Sequence, residues 1–117
     1  MWSNCLFVAL GGGLGAVGRY LLSLIAAPWS FPVMTLLTNF LGAVVIGAVA
    51  QAAGQLPMSK SAVLFLKTGL CGGFTTFSTF SLETVELLEQ GRWAAGGGYI
   101  LASVGLCLAG VLLGRAL

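Results

Sequence analysis

GGFTTFSTF, residues 72–80, threads Thr75, Thr76, Ser78 and Thr79 between Phe74, Phe77 and Phe80, and Ser81 follows directly. Glycine costs a helix interior about 1 kcal/mol relative to alanine, and threonine is also disfavoured there. Hydroxyls compete for nearby backbone groups. A helix that reaches this run is expected to break. The rest of the chain says where that break would lie. Of 117 residues, 58% are hydrophobic and only 7% are charged, against roughly 25% charged in a soluble domain. So few charges cannot solvate a small globule, so most of its surface must face lipid. The formal net charge of +2 is too small to imply a nucleic-acid partner.

A membrane helix needs about 20 mainly apolar residues. The stretches that qualify are residues 4–26, ending before Ala27-Pro28-Trp29; residues 32–53, closed by Gly54 and Pro57; residues 61–88; and residues 93–117. They predict one all-α membrane domain over residues 1–117 with four transmembrane helices, the third broken near its centre. Short connections make neighbours antiparallel and put both termini on one side. Broken backbone at membrane depth is tolerated only where protein buries it or it lines a cavity. There it leaves carbonyls and N–H groups free to meet an ion. The first segment lacks a basic leading region, with its one arginine late at Arg19. It is therefore read as part of the mature chain rather than as a signal peptide.

Lys60, Lys67 and Arg115 fall on the side of the termini, and Arg19 and Arg92 on the other. Cytoplasmic loops are normally rich in Lys and Arg. So even a distribution gives little orientation signal and points to insertion both ways, with an antiparallel homodimer as its natural product.

Enzymes are disfavoured by the residue inventory. There is no His and no Asp, and the acids are Glu83, Glu86 and Glu89 on one segment. A general base or a side-chain metal site would be built from almost nothing. Cys5, Cys71 and Cys107 lie in apolar runs without a C-x-x-C spacing and read as small buried hydrophobes. GLGAVG, residues 13–18, matches the dinucleotide pattern. No strand precedes it, and the region about 20 residues on holds Thr38 and Asn39 instead of an acid, so that reading is rejected.

Two kinds of pattern remain. Gly11, Gly15 and Gly18 share a face, as do Gly69 with Gly73 and Gly110 with Gly114; such spacing lets helices approach closely in lipid. The polar residues are harder to assign, because polar groups at membrane depth are costly. Thr35, Asn39 and Gly42 share one face of the second helix, and Tyr99, Ser103 and Cys107 recur at every fourth residue of the fourth. Phe77 and Phe80 share a face if helix resumes after the break. Ring edges carry partial positive charge, so edges and hydroxyl donors together could receive a small anion without binding it too tightly to let it leave. On these residues alone, an anion path and a set of packing contacts are both open.

GGFTTFSTFS (residues 72–81), TLLTNFLGAVVIG (35–47) and GGGLGAVGRY (11–20) together resemble the CrcB/Fluc fluoride channel family, in the expected order and length. The resemblance implies a dual-topology antiparallel homodimer with two pores, in the plasma (inner) membrane of a prokaryote. It would export toxic cytoplasmic fluoride by passive electrodiffusion. Residue by residue, Phe77 and Phe80 match the family's fluoride-facing aromatic pair and Asn39 its pore-lining asparagine. Ser78, Thr79 and Ser103 resemble its hydroxyl track, with Tyr99 and Glu83 beside it, and Arg19 matches the arginine near the pore mouth. Gly72 and Thr75 fall where the family offers backbone carbonyls to a structural sodium ion at the dimer axis. Fluoride, sodium, lipid and a second copy of the chain are the implied partners. A small drug/proton antiporter also uses four short helices, but it needs an embedded acid, and the first helix has none. An assembly subunit would treat the polar set as helix glue and conduct nothing.

Overall fold

The computed structural model describes residues 1–25 and 31–117. The expected end of the first helix at Ala26, and the Ala27-Pro28-Trp29 stop, lie outside the described residues. Helix α1 spans Trp2–Ser23 and α2 spans Val33–Gln55. The third stretch is composite. It begins with α3 (Lys60–Val63), widens into a π-helical run (Leu64–Cys71) and returns to one turn of α-helix, α4 (Gly72–Phe74). Helix α5 then runs over Phe77–Glu89, and α6 over Trp93–Ala116. Among the described residues, α1, α2 and α6 are long and apolar enough to cross a membrane. The molecule is 49 Å in its longest dimension, which exceeds the roughly 30 Å of bilayer hydrocarbon.

Local chemistry accounts for the starts and turns. The Ser59 hydroxyl accepts from the Ala62 N–H and caps α3. Between α5 and α6 the chain reverses at Gly91, whose φ of 77° favours glycine.

The tightest seams join alternate segments, not sequence neighbours. Helix α1 lies parallel to the third stretch. A Cβ on Gly11 would strike the Phe65 carbonyl and the Leu70 amide, and one on Gly15 the Leu70 carbonyl and the Phe74 amide. From the other side, Gly69 and Gly73 meet the backbone of Gly11 and Gly12. Asn4 and Ser61 are hydrogen-bonded near the start of this seam, at 3.0 Å. Helix α2 lies parallel to α6 in the same manner. Gly110 sits against Phe40 and Ala43, Gly47 against Val111, and Gly114 against Val44 and Ala48. With no hydrophobic force between helices in lipid, close backbone approach of this kind supplies the attraction. The opposite face of α1 is an exposed stripe of Leu6, Leu10, Leu14, Val17 and Leu21, suited to lipid.

Small buried hydrophobes describe only part of the cysteine set. Cys71 is buried and Cys107 half-buried, but Cys5 is exposed near the start of α1; all are free thiols.

Candidate functional site

The glycine pair is not where the helix fails. Gly72 and Gly73 are helical, and Gly73 is packed on the Gly12 backbone. Helix stops one residue later. Thr75 (φ −89°, ψ 157°) and Thr76 (φ −149°, ψ 117°) are extended, and helix resumes at Phe77. β-branched residues suit extended backbone. The glycines supply close approach, and the threonines supply the interruption.

Side chains take over the hydrogen bonds that the interruption costs. The Thr76 N–H donates to Asn39 Oδ1 at 2.8 Å, and Asn39 Nδ2 donates to the Thr76 carbonyl at 3.1 Å. The Thr76 hydroxyl accepts from the Thr79 N–H at 3.1 Å and so caps α5. Thr75 donates both its N–H (3.0 Å) and its hydroxyl (2.9 Å) to the Cys71 carbonyl. Arg19 Nε donates to the Gly73 carbonyl at 3.3 Å; a cation is favoured at such a helix C-terminus. Arg19 therefore reaches into the break. The methyl of Thr75 rests against the Cα of Gly42, where any Cβ would collide with it.

One open groove of about 610 Å³ runs along this break, lined by Asn39, Lys67, Thr68, Thr75, Phe77, Phe80, Ser103 and neighbours from α2, α6 and the π-helical run. The Phe77 and Phe80 rings touch, with centroids 5.4 Å apart and planes tilted by 46°. They differ in burial: Phe80 is in the core, whereas Phe77 is 79% exposed. Phe80 also packs on Tyr99, at 5.1 Å. Beside the exposed Lys67 and Thr68, the groove holds Asn39 and Ser103 as donors with capacity to spare. Asn39 uses one of its two amide hydrogens on Thr76, leaving the other. Ser103 Oγ is buried and has no hydrogen-bond partner, an uncommon condition for a polar atom that calls for a reason. A second, smaller pocket of about 70 Å³ lies on the other side of Thr76, lined by Arg19, Thr35, Thr38, Thr76 and Thr79.

A third feature sits between α2, α5 and α6. Glu83 accepts at both carboxyl oxygens, from Tyr99 Oη at 2.9 Å and from Thr35 Oγ1 at 3.1 Å. Tyr99 is fully enclosed, with Phe31 edge-on to its ring at 5.3 Å. The acid is clamped midway along α5, while Glu86 is exposed.

Residues 6–115 match the family model described as CrcB-like protein, Camphor Resistance (CrcB). The chain belongs to the CrcB-like family. Curated relatives agree along nearly the whole length. One from Ruminiclostridium cellulolyticum is 45% identical, covering 97% of this chain and 91% of the relative. One from Roseiflexus sp. is 48% identical, covering 95% and 93%, and one from Shewanella frigidimarina is 48% identical, covering 98% and 95%. Each bears the name fluoride-specific ion channel FluC. With the three spanning helices, the match makes this CrcB-like chain a multi-pass membrane protein.

The residues singled out from the sequence of this CrcB-like chain do not form one cluster. Asn39, Gly72, Thr75, Phe77, Phe80 and Ser103 share the groove, and Arg19 and Thr79 share the smaller pocket. Ser78 is exposed, with its hydroxyl 3.2 Å from that of Thr76. Tyr99 belongs to the Glu83 clamp. Thr76, read from the sequence only as one of the hydroxyls of the run, lines both pockets. Its signal was available: a threonine immediately before a helix start is a preferred N-cap. The pairing of Thr35 with Glu83 joins residues 48 positions apart, and no spacing rule predicts it.

Proposed function

We propose that this chain is a fluoride-selective channel that lets cytoplasmic fluoride leave by passive electrodiffusion through two pores of an antiparallel, dual-topology homodimer in a prokaryotic inner membrane, lowering fluoride toxicity. It is not an enzyme. The observation that carries this reading is the groove, where the Phe77–Phe80 pair, the spare Asn39 amide hydrogen and the unpartnered Ser103 hydroxyl line one wall. Ring edges and neutral donors attract a small anion weakly, which suits conduction better than a buried cation would. The names of the relatives supply the ion. A second copy is supported by the exposure of Phe77 at the groove's edge and by the near-balanced basic residues at the two ends of the helices.

A structural sodium ion at the dimer axis belongs to the same proposal, and the donor set fits it. Hard cations of this kind take oxygen ligands, carbonyls included. In an unbroken helix the Gly72 carbonyl would accept from Thr76 N–H, and the Thr75 carbonyl from Thr79 N–H. Both donors are committed to side chains instead. Two released carbonyls per chain would meet their copies across a two-fold axis, and a cation there would offset the repulsion of the four dipoles.

Efflux from liposomes holding the purified protein tests the channel, read with a fluoride electrode beside a chloride control. Fast fluoride release with chloride retained is expected. Phe80→Ile, which keeps bulk but removes the ring edge, is expected to abolish that flux in a protein that still forms a dimer. Full flux in that variant would remove the aromatic edge from the mechanism, and release of neither ion by the wild-type dimer would remove the channel.

A further inference from the structure

Two side chains decide which carbonyls at the break are free. Asn39 Oδ1 holds the Thr76 N–H, which denies the Gly72 carbonyl its helical donor. The Thr76 hydroxyl holds the Thr79 N–H, which denies the Thr75 carbonyl its own. Of the other carbonyls at the break, Cys71 accepts from Thr75, Gly73 from Arg19 and Thr76 from Asn39, while the Phe74 carbonyl, whose helical donor would be the Ser78 N–H, shares the lack of a partner with Gly72 and Thr75. Gly72 is itself exposed.

We propose that Asn39 and Thr76 are positioning residues of a cation site, withholding two backbone donors so that the Gly72 and Thr75 carbonyls ligate an alkali cation. The proposal rests on the sodium reading above and adds to it the side chains that create the site. Neither side chain touches the cation. Gly42 completes the arrangement, since the Thr75 methyl fills the space a Cβ would occupy there. Asn39 also lines the groove, so one α2 residue would serve both the anion path and the cation site.

The test uses the full chain in detergent, with sodium chloride titrated against N-methyl-D-glucamine chloride and thermal unfolding followed at each concentration. A ligand that binds only the folded state raises the midpoint with its concentration, so the titration reads an apparent sodium affinity without any flux measurement. The decisive pair is Thr76→Val against Thr76→Ser. Valine keeps the shape but removes the cap, so that Thr76 is free to turn helical and the Thr79 N–H to return to the Thr75 carbonyl; serine keeps the cap. Thr76→Val is expected to need about 10- to 100-fold more sodium, the usual loss on removing a metal site's outer support, while Thr76→Ser follows the wild type. Asn39→Ala is expected to behave as Thr76→Val. Thr35→Ala, which deletes another α2–α5 hydrogen bond away from the break, is expected to leave the affinity unchanged.

The inference is overturned if the wild type responds to sodium and Thr76→Val responds equally, or if Thr35→Ala weakens the response as much as Thr76→Val. A wild type whose midpoint ignores sodium removes the reading beneath it as well, and that outcome is distinguishable because it appears before any substitution. If Asn39→Ala does not fold, the Thr76 pair decides alone.

Discussion

Helix α2 carries two seams of opposite kind. Its C-terminal half meets α6 through missing side chains: Gly47, Gly110 and Gly114 let backbone rest on backbone. Its N-terminal half meets the broken third stretch through side chains that are present and hydrogen-bonded: Thr35 to Glu83 and Asn39 to Thr76. The first seam has no alternative state, because any added atom collides. The second is held by bonds that other donors could replace, since the Thr76 N–H has a helical partner waiting in Gly72. A glycine seam fixes distance, and a polar seam chooses which backbone groups are exposed. The α1 seam is of the first kind and holds the other side of the break.

Substitutions in the glycine seams are expected to do the most damage. Gly15→Val would press on the Leu70 carbonyl and the Phe74 amide together, and backbone cannot rotate away. A loss of about 3 kcal/mol, the upper part of the overpacking range, should leave little folded protein on size-exclusion chromatography. Recovery of a normally stable Gly15→Val dimer would break the distinction between the seams. Asn39→Ala should follow, at about 2 kcal/mol for the backbone groups of Thr76 left without partners, partly offset if the Thr76 N–H returns to Gly72. Its signature is a folded protein with reduced fluoride efflux, which separates selection of backbone groups from maintenance of the fold.

Thr35→Val should cost less, about 1 kcal/mol or under, since a single interhelical hydrogen bond in lipid is worth little and Tyr99 still holds Glu83. Thermal unfolding reads it. The smallest effect is expected at Gly13, where a Cβ meets nothing within 4 Å. Gly13→Ala should gain helix propensity, at most about 1 kcal/mol in the stabilising direction. A clear loss instead would reveal that this face of α1 is covered in the assembly, and would add it to the glycine seams.

Much of this was readable from the residues. Hydropathy marked the spanning stretches close to where α1, α2 and α6 lie, because a spanning helix must satisfy every backbone group within itself and its length is set by the bilayer. The small-xxx-small spacings marked the seams, although not that they join alternate, parallel segments. The polar seam was legible only in part. Thr35, Asn39 and Gly42 share a face by spacing, and that face does meet the third stretch. What each residue meets there depends on the interruption at Thr75 and Thr76, which follows the glycine pair instead of falling on it. The π-helical run had no signature in the residues at all; it lies where Gly69 is pressed against Gly11.

From the sequence alone come the lipid-facing class, the spanning stretches of α1, α2 and α6, the poverty of acids and bases that argues against an enzyme, and the residues that match the CrcB-like family. These are local or additive properties: hydrophobicity, period and composition sum along the chain without reference to its path. The third stretch, expected as one broken spanning helix, is instead divided into shorter elements. The Thr76 cap on Thr79 and the Thr75 bonds to Cys71 are local, but the tertiary structure decided how the Thr76 N–H and the Gly73 carbonyl are engaged, because those bonds pair groups 37 and 54 residues apart. It also decided that Phe80 is enclosed while Phe77 stands exposed at the groove, since two rings on one helical face differ only in what the other helices bring against them.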